Sequence, residues 1–199
     1  MSNINNESPE NEITKIKIVV LGKCLVGKSA LTYRFISDKF LTEHDTTIED
    51  QYHVNMTIND KYCELEILDT AGQDDYQTML DTWIESGNCY LLVYSIDDLS
   101  TFNGVKERYE RICQIKNNSI FSVIIVGNKC DLSESERKVQ KEEAENFAKS
   151  NGLEFLETSA LNKINVKEAF TTVAHDYLLK ISENNEKKSI FSCPCFWMI

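Results

Sequence analysis

Two short stretches of this chain combine residue types at spacings suited to phosphate binding and to base recognition. Gly22-Lys23-Cys24-Leu25-Val26-Gly27-Lys28-Ser29 fits GxxxxGK[ST] and lies between an apolar run and a helical one. Glycine at each end lets a loop turn its backbone N–H groups inward around phosphate oxygens, and a helix N-terminus adds partial positive charge. The cradle so read comprises Gly22, Lys23, Cys24, Leu25, Val26, Gly27, Lys28, Ser29 and Ala30. Lys28 supplies a mobile charge for β and γ phosphates, and Ser29 a hydroxyl ligand for Mg²⁺. The second stretch is Asn128-Lys129-Cys130-Asp131. A carboxylate such as Asp131 accepts two hydrogen bonds from the ring N–H and exocyclic amine of guanine. Adenine would turn an acceptor toward it. This favours GTP or GDP over ATP, because a buried polar group left unpaired costs ~1–3 kcal/mol. Glu157-Thr158-Ser159-Ala160 follows another strand and can offer the Ala160 N–H to the guanine oxygen.

These loops need a scaffold that ends several strands at one rim. Ile16 to Leu21, Cys89 to Ile96 and Phe121 to Val126 are continuous apolar runs, the pattern of parallel strands covered on both faces. Tyr52 to Ile58 and Tyr62 to Leu68 alternate, and Asn59-Asp60 between them predicts a hairpin. Helical spacing covers Lys28 to Ile36, Thr101–Lys116, Val139–Ser150 and Asn165–Ile181, with a short strand at Glu154–Glu157. The order β-α-β-β-α-β-α-β-α-β-α predicts an α/β fold of the P-loop NTPase kind. Its six-stranded, mostly parallel sheet has one antiparallel edge strand and helices on both faces. Residues 1–14 read as a disordered extension, 15–181 as the nucleotide-binding domain, and 182–199 as a flexible tail.

Composition sets limits. The 199 residues carry 32 acidic against 21 basic side chains, a net charge of −11, and no basic run beyond Lys187-Lys188. Such a chain is a poor general nucleic-acid binder and lacks a polybasic membrane patch. Seven cysteines without a CxxC pair, beside three histidines, do not make a structural zinc site. Cys63 and Cys89 sit in strand patterns and read as small core residues in a reducing compartment. Met1 to Glu12 has no basic or apolar region of a secretory signal, and no run of 18 apolar residues exists.

With Asp69-Thr70-Ala71-Gly72-Gln73 and Thr47-Ile48-Glu49-Asp50-Gln51-Tyr52 added in order, the chain from about Thr14 to Ile181 resembles a Ras-family small GTPase. The resemblance implies a guanine-nucleotide switch that hydrolyses GTP slowly. It implies that Asp69 holds Mg²⁺ through water, that the Gly72 N–H touches the γ phosphate, and that Gln73 orients the attacking water. Thr47 would give its hydroxyl to Mg²⁺ and its N–H to the γ phosphate, both lost on hydrolysis. Phe40 would pack on the guanine, with Lys129, Ser159, Ala160 and Leu161 around it. The implied catalytic group is Gln73, Lys28, Thr47 and Gly72, and the implied metal ligands are Ser29, Thr47 and Asp69. Implied partners are effectors reading Glu43–Tyr52, an exchange factor and a GTPase-activating protein, with the protein itself a monomer. Glu43, Asp45, Glu49 and Asp50 beside an edge strand would steer a basic partner domain.

Several residues depart from that pattern. Cys24 and Leu25 stand where Ras itself usually has glycines, so crowding at Cys24 should slow hydrolysis and blunt the response to an activating protein. His44 stands for a frequent Tyr, Thr46 for a frequent Pro and Leu161 for a frequent Lys. Cys195 is fifth rather than fourth from the end, which departs from the CaaX signal. Attachment to the cytoplasmic membrane face through Cys193 or Cys195 is still expected, beside a cytoplasmic pool, although one lipid chain anchors only marginally. Two rivals remain at this stage. One is a GTP-loaded binding module without hydrolysis, and the other an ATP-using P-loop kinase for which Asp131 is incidental.

Overall fold

The computed structural model describes residues 13–40, 49–72 and 77–191. Eleven elements follow in the expected order. They are β1 (Thr14–Leu21), α1 (Lys28–Ser37), β2 (Glu49–Ile58), β3 (Lys61–Thr70), α2 (Gln77–Ser86), β4 (Cys89–Ser95), α3 (Leu99–Ile115), β5 (Ser122–Asn128), α4 (Lys141–Ser150), β6 (Glu154–Thr158) and α5 (Val166–Phe191). The six strands form one sheet in the order β2-β3-β1-β4-β5-β6. Only β2 runs antiparallel, paired with β3 through a turn in which Asn59 and Asp60 both have positive φ. That is the geometry a two-residue hairpin needs to match strand twist, and Asn and Asp tolerate it best after glycine.

The central strands are apolar throughout because both faces are covered. Ile16, Ile18 and Val20 of β1 enter a core shared with α1 and α5. Val19 and Leu21 enter the opposite core, under α2, α3 and α4. Phe35 of α1 stacks on Phe170 of α5 at 4.3 Å between ring centroids. Cys63 and Cys89 are fully buried. The turns after β1, β3, β5 and β6 gather at the carboxyl edge, with Val20 beside Asp69 and Ser95, Asn128 and Thr158 in one row. Open α/β sheets bind ligands at such an edge.

Two boundaries differ from expectation. Thr14 already belongs to β1, in register with Cys63, because the parallel ladder with β3 reaches two residues beyond the apolar run. The last helix continues through 182–191, which had read as flexible tail. Its polar composition hid it, yet no Gly or Pro interrupts the chain between Gly152 and Pro194, and Glu183 and Lys187 have the favourable i,i+4 order. Ser182 is also held in place, donating to the Leu178 carbonyl at 3.1 Å and lying 3.4 Å from Lys61 Nζ. Among the described residues no helix is long and apolar enough to cross a membrane.

The Phe35–Phe170 contact gives a direct check on this packing. Phe170→Ala should cost about 3–5 kcal/mol of unfolding free energy in urea titration, and Phe170→Leu clearly less.

Candidate functional site

The loop between β1 and α1 is shaped by glycines that nothing else could replace. A Cβ on Gly22 would lie 2.2 Å from the Val93 carbonyl oxygen. Gly27, the residue before α1, has φ +93°, and a Cβ there would meet Asn128 Nδ2 at 2.3 Å. Between them Leu25 also takes a left-handed conformation, φ +62°, with its side chain 85% exposed. That backbone favours glycine, and a branched side chain there costs about 1 kcal/mol or more. Cys24 is exposed as well.

Asn128 bolts this loop to the base-reading loop. Its Nδ2 donates to the Val26 carbonyl at 2.8 Å, and its Oδ1 accepts from Thr158 Oγ1 at 3.1 Å. Both ends of this amide thus hold protein, and the second Nδ2 hydrogen is left for the nucleotide contact that the sequence predicts for Asn128. Cys130 N donates to Thr158 O at 3.0 Å and fixes the next turn. Lys129 has φ +67°, and its ammonium lies 3.6 Å from Asp97 Oδ2. Asp131 accepts from the Ser159 hydroxyl, whose oxygen also receives the Asn162 N–H at 2.9 Å. The carboxylate is therefore oriented while keeping lone pairs for two further donors. Arg34 of α1 completes the frame. It donates to the carbonyls of Ala160, at 2.8 Å, and Leu161. These partners lie 126 and 127 residues away, and no local pattern announces them. Leu161 is half exposed, and Phe40 is packed against the α1/α5 core.

Two charged groups are buried at the rim. Lys28 is 6% exposed, and its Nζ donates to the Lys23 carbonyl at 3.0 Å. Burial lowers its pKa from 10.5 to about 8, against opposing attraction from Asp69. Asp69 is 1% exposed, and burial raises its pKa from 3.8 to about 6. The Ser29 hydroxyl and the Lys28 charge offset only part of that rise. Asp69 Oδ1 has no hydrogen-bond partner among the described residues. A buried carboxylate oxygen left open beside a serine hydroxyl fits a hard divalent cation that keeps its waters, as Mg²⁺ does. Gly72 completes the rim, since a Cβ there would lie 2.5 Å from Cys24 N and from the Lys23 carbonyl.

The structure thus gathers Gly22 to Ala30, Asp69, Gly72, Asn128, Lys129, Asp131, Ser159, Ala160 and Leu161 along one edge of the sheet. Thr47, Gln73, Glu43 and Asp45 lie outside the described residues, as do Cys193 and Cys195. Glu49 to Tyr52 form the start of β2.

Residues 17–179 match the Ras family. The chain belongs to that family. It is 43% identical over 161 residues to "Ras-like protein rasC" of Dictyostelium discoideum, covering 81% of this chain and 85% of that one. It is 41% identical over 172 residues to "Ras-like protein rasB" of the same organism, covering 86% and 87%. As a family member it is a GTP-binding switch in signalling with GTP hydrolase activity. This disfavours both the hydrolysis-free module and the ATP-using kinase.

The loop geometry predicts that Gly27→Ala weakens guanine-nucleotide binding at least 100-fold by titration, because it combines backbone strain with a clash on Asn128. Leu25→Gly should leave affinity intact and raise the melting temperature slightly. The buried charges predict a pH response in nucleotide-stripped protein. Asp69 holds its proton more tightly folded than unfolded, so stability is highest below about pH 4 and falls as pH rises to 6. Lys28 holds its proton less tightly folded, so stability recovers between about pH 8 and 10.5. Calorimetry across pH should show Asp69→Asn flattening the first window and Lys28→Met the second.

Proposed function

We propose that this switch binds Mg²⁺·GTP and Mg²⁺·GDP at the carboxyl edge of the sheet with the residues gathered there. One observation carries the reading. Asp69 keeps a buried, unpartnered oxygen and shares its carboxylate with Ser29, one residue from the buried ammonium of Lys28. Ser29 and Asp69, the latter through water, would hold the cation, with Thr47 as the further ligand. When bound, the cation draws charge from the phosphate oxygens.

Lys28 exchanges the Lys23 carbonyl for phosphate oxygens and steadies charge that grows on the γ phosphoryl group. The N–H groups of the loop from Gly22 to Ala30 line the phosphates, and that of Gly72 meets the γ phosphate. Gln73 orients the attacking water. Asp131 takes the two guanine donors, Ala160 the guanine oxygen, and Lys129, Phe40 and Leu161 enclose the base. Asn128 acts by bracing the two loops. The work is positioning and electrostatics, so unassisted turnover is slow, on the order of 10⁻⁴–10⁻² s⁻¹.

The partners of this reading are effectors at Glu43–Tyr52, an exchange factor and an activating protein, and the tail attaches to the cytoplasmic membrane face through Cys193 or Cys195. Cys24 is exposed on the phosphate loop with its backbone against Gly72. Its side chain crowds the space that Gln73 and an activator's arginine must share.

Chromatography of nucleotide released from purified protein should show guanine nucleotides only. Asp131→Ala should lower GDP affinity by 100-fold or more and erase the preference for GDP over inosine diphosphate, which lacks the exocyclic amine. Unchanged discrimination in that variant would remove Asp131 from the base site. Cys24→Gly should raise single-turnover hydrolysis in the presence of a Ras-type activating protein by at least tenfold.

A further inference from the structure

Gly104 lies inside α3, where glycine is disfavoured relative to alanine because its backbone loses more freedom on ordering. Its φ is not positive, so no turn requires it. The reason lies in what crosses over it. A Cβ at Gly104 would lie 2.8 Å from Lys23 Cε, 3.1 Å from Lys23 Cγ and 3.0 Å from Arg108 Nη1. The Lys23 stem therefore rests on the α3 backbone, beside an Arg108 guanidinium that is 8% exposed and donates to the Gly104 carbonyl at 3.1 Å. The Lys23 charge also reaches Asp98, the N-cap of α3. The bond from Ser100 chiefly, and Lys23 in smaller part, hold that carboxyl below its usual range. The backbone of Lys23 faces the opposite way. Its carbonyl accepts from Lys28 Nζ at 3.0 Å, and a Cβ on Gly72 would lie 2.5 Å from that carbonyl and from Cys24 N. One peptide, Lys23–Cys24, thus meets both the buried ammonium and the Gly72 turn. Asn128 braces the second half of the loop through the Val26 carbonyl, and α3 braces the first half through the Lys23 stem.

We propose that Lys23 and Gly104 are positioning residues for the γ phosphate. The Lys23 side chain, seated in the notch that Gly104 leaves in α3, sets the direction of the Lys23–Cys24 peptide, and that peptide sets where Lys28 and Gly72 stand. The inference rests on the reading above, in which Lys28 and Gly72 meet the γ phosphate. The Lys23 C=O and the Cys24 N–H share one rigid plane, so any rotation turns both at once. A side chain pinned on α3 opposes that rotation. Without the pin, the carbonyl that steadies Lys28 and the surface on which Gly72 rests are displaced together. The diphosphate is served mainly by N–H groups from Gly27 to Ala30, at the helix start that Asn128 braces. Loss of the pin therefore falls more heavily on a bound triphosphate than on a diphosphate.

The test uses the full-length chain and competition against a fluorescently labelled GDP, comparing affinity for GDP with that for a non-hydrolysable GTP analogue. Lys23→Ala removes the stem, and Gly104→Ala displaces it. Each should weaken binding of the analogue at least tenfold more than binding of GDP. Alanine suits a helix better than glycine, so Gly104→Ala should fold, and the melting temperature of its GDP form checks that. A role in packing alone would leave the ratio of the two affinities where it was. The double variant should be no worse than Lys23→Ala, because the added methyl group then meets no stem, and Arg108 Nη1 is the movable end of a long side chain. Losses that multiply in the double variant overturn the proposal, as do equal losses for the two nucleotides or unchanged affinities in both single variants. Each of these outcomes leaves the nucleotide site standing. Failure of the unsubstituted chain to bind either guanine nucleotide overturns both.

Discussion

A buried ammonium and a buried carboxylate face one short loop, and the protein by itself compensates each only in part. Lys28 has a carbonyl for company and a pKa drawn down to about 8, while Asp69 keeps an open oxygen and a pKa raised to about 6. Moving a carboxyl from 3.8 to about 6 disfavours its ionised form by about 3 kcal/mol. A fold optimised for stability alone would remove such groups. They are consistent with a site whose missing partners are a polyanion and a cation, each of which satisfies one of them. The rest of the sheet edge follows from the need to hold these two groups a few ångströms from a ring of amides.

Holding them is mostly the work of residues that touch no phosphate. Asn128 spans β5, the phosphate loop and β6 with one amide, so the base loop and the phosphate loop cannot shift independently. Gly27 leaves room for that amide, and a single methyl group there would push the two loops apart. Arg34 carries the same coupling to the far end of α1 by gripping the carbonyls of Ala160 and Leu161. Nucleotide affinity is thus tied to packing between elements more than a hundred residues apart in sequence.

The sequence announced what local chemistry encodes. The glycine spacing around Lys28, Asp131 after a buried strand, and Asn59-Asp60 between alternating runs each state a backbone requirement in the residues themselves. The length of α5 was hidden, because 182–191 lacks an apolar stripe and its helix continues on propensity and charge spacing. Arg34, Trp83 and the bracing bonds of Asn128 were hidden for a different reason. Each acts through a partner that only tertiary folding supplies, and nothing in the flanking residues marks a bond to Val26, Ala160 or Glu49. Leu25 stood out as a departure from glycine, but its left-handed backbone became evident only with the loop built.

A chain of net charge −11 binding a triphosphate looks contradictory until distance is considered. Surface charges more than a Debye length away, ~8 Å at physiological ionic strength, are largely screened by salt. At the proposed site the phosphates would meet Lys28, which the fold already buries, at contact distance. There one ammonium and several aligned N–H dipoles outweigh a diffuse negative surface. The acidic exterior then acts where screening is weakest, at close approach of another protein. Glu49 and Asp50 begin the open edge strand, and Glu49 is already turned by Trp83. On the proposed reading, the same excess of carboxylates that is irrelevant to the nucleotide would favour basic partners at the edge nearest the phosphates.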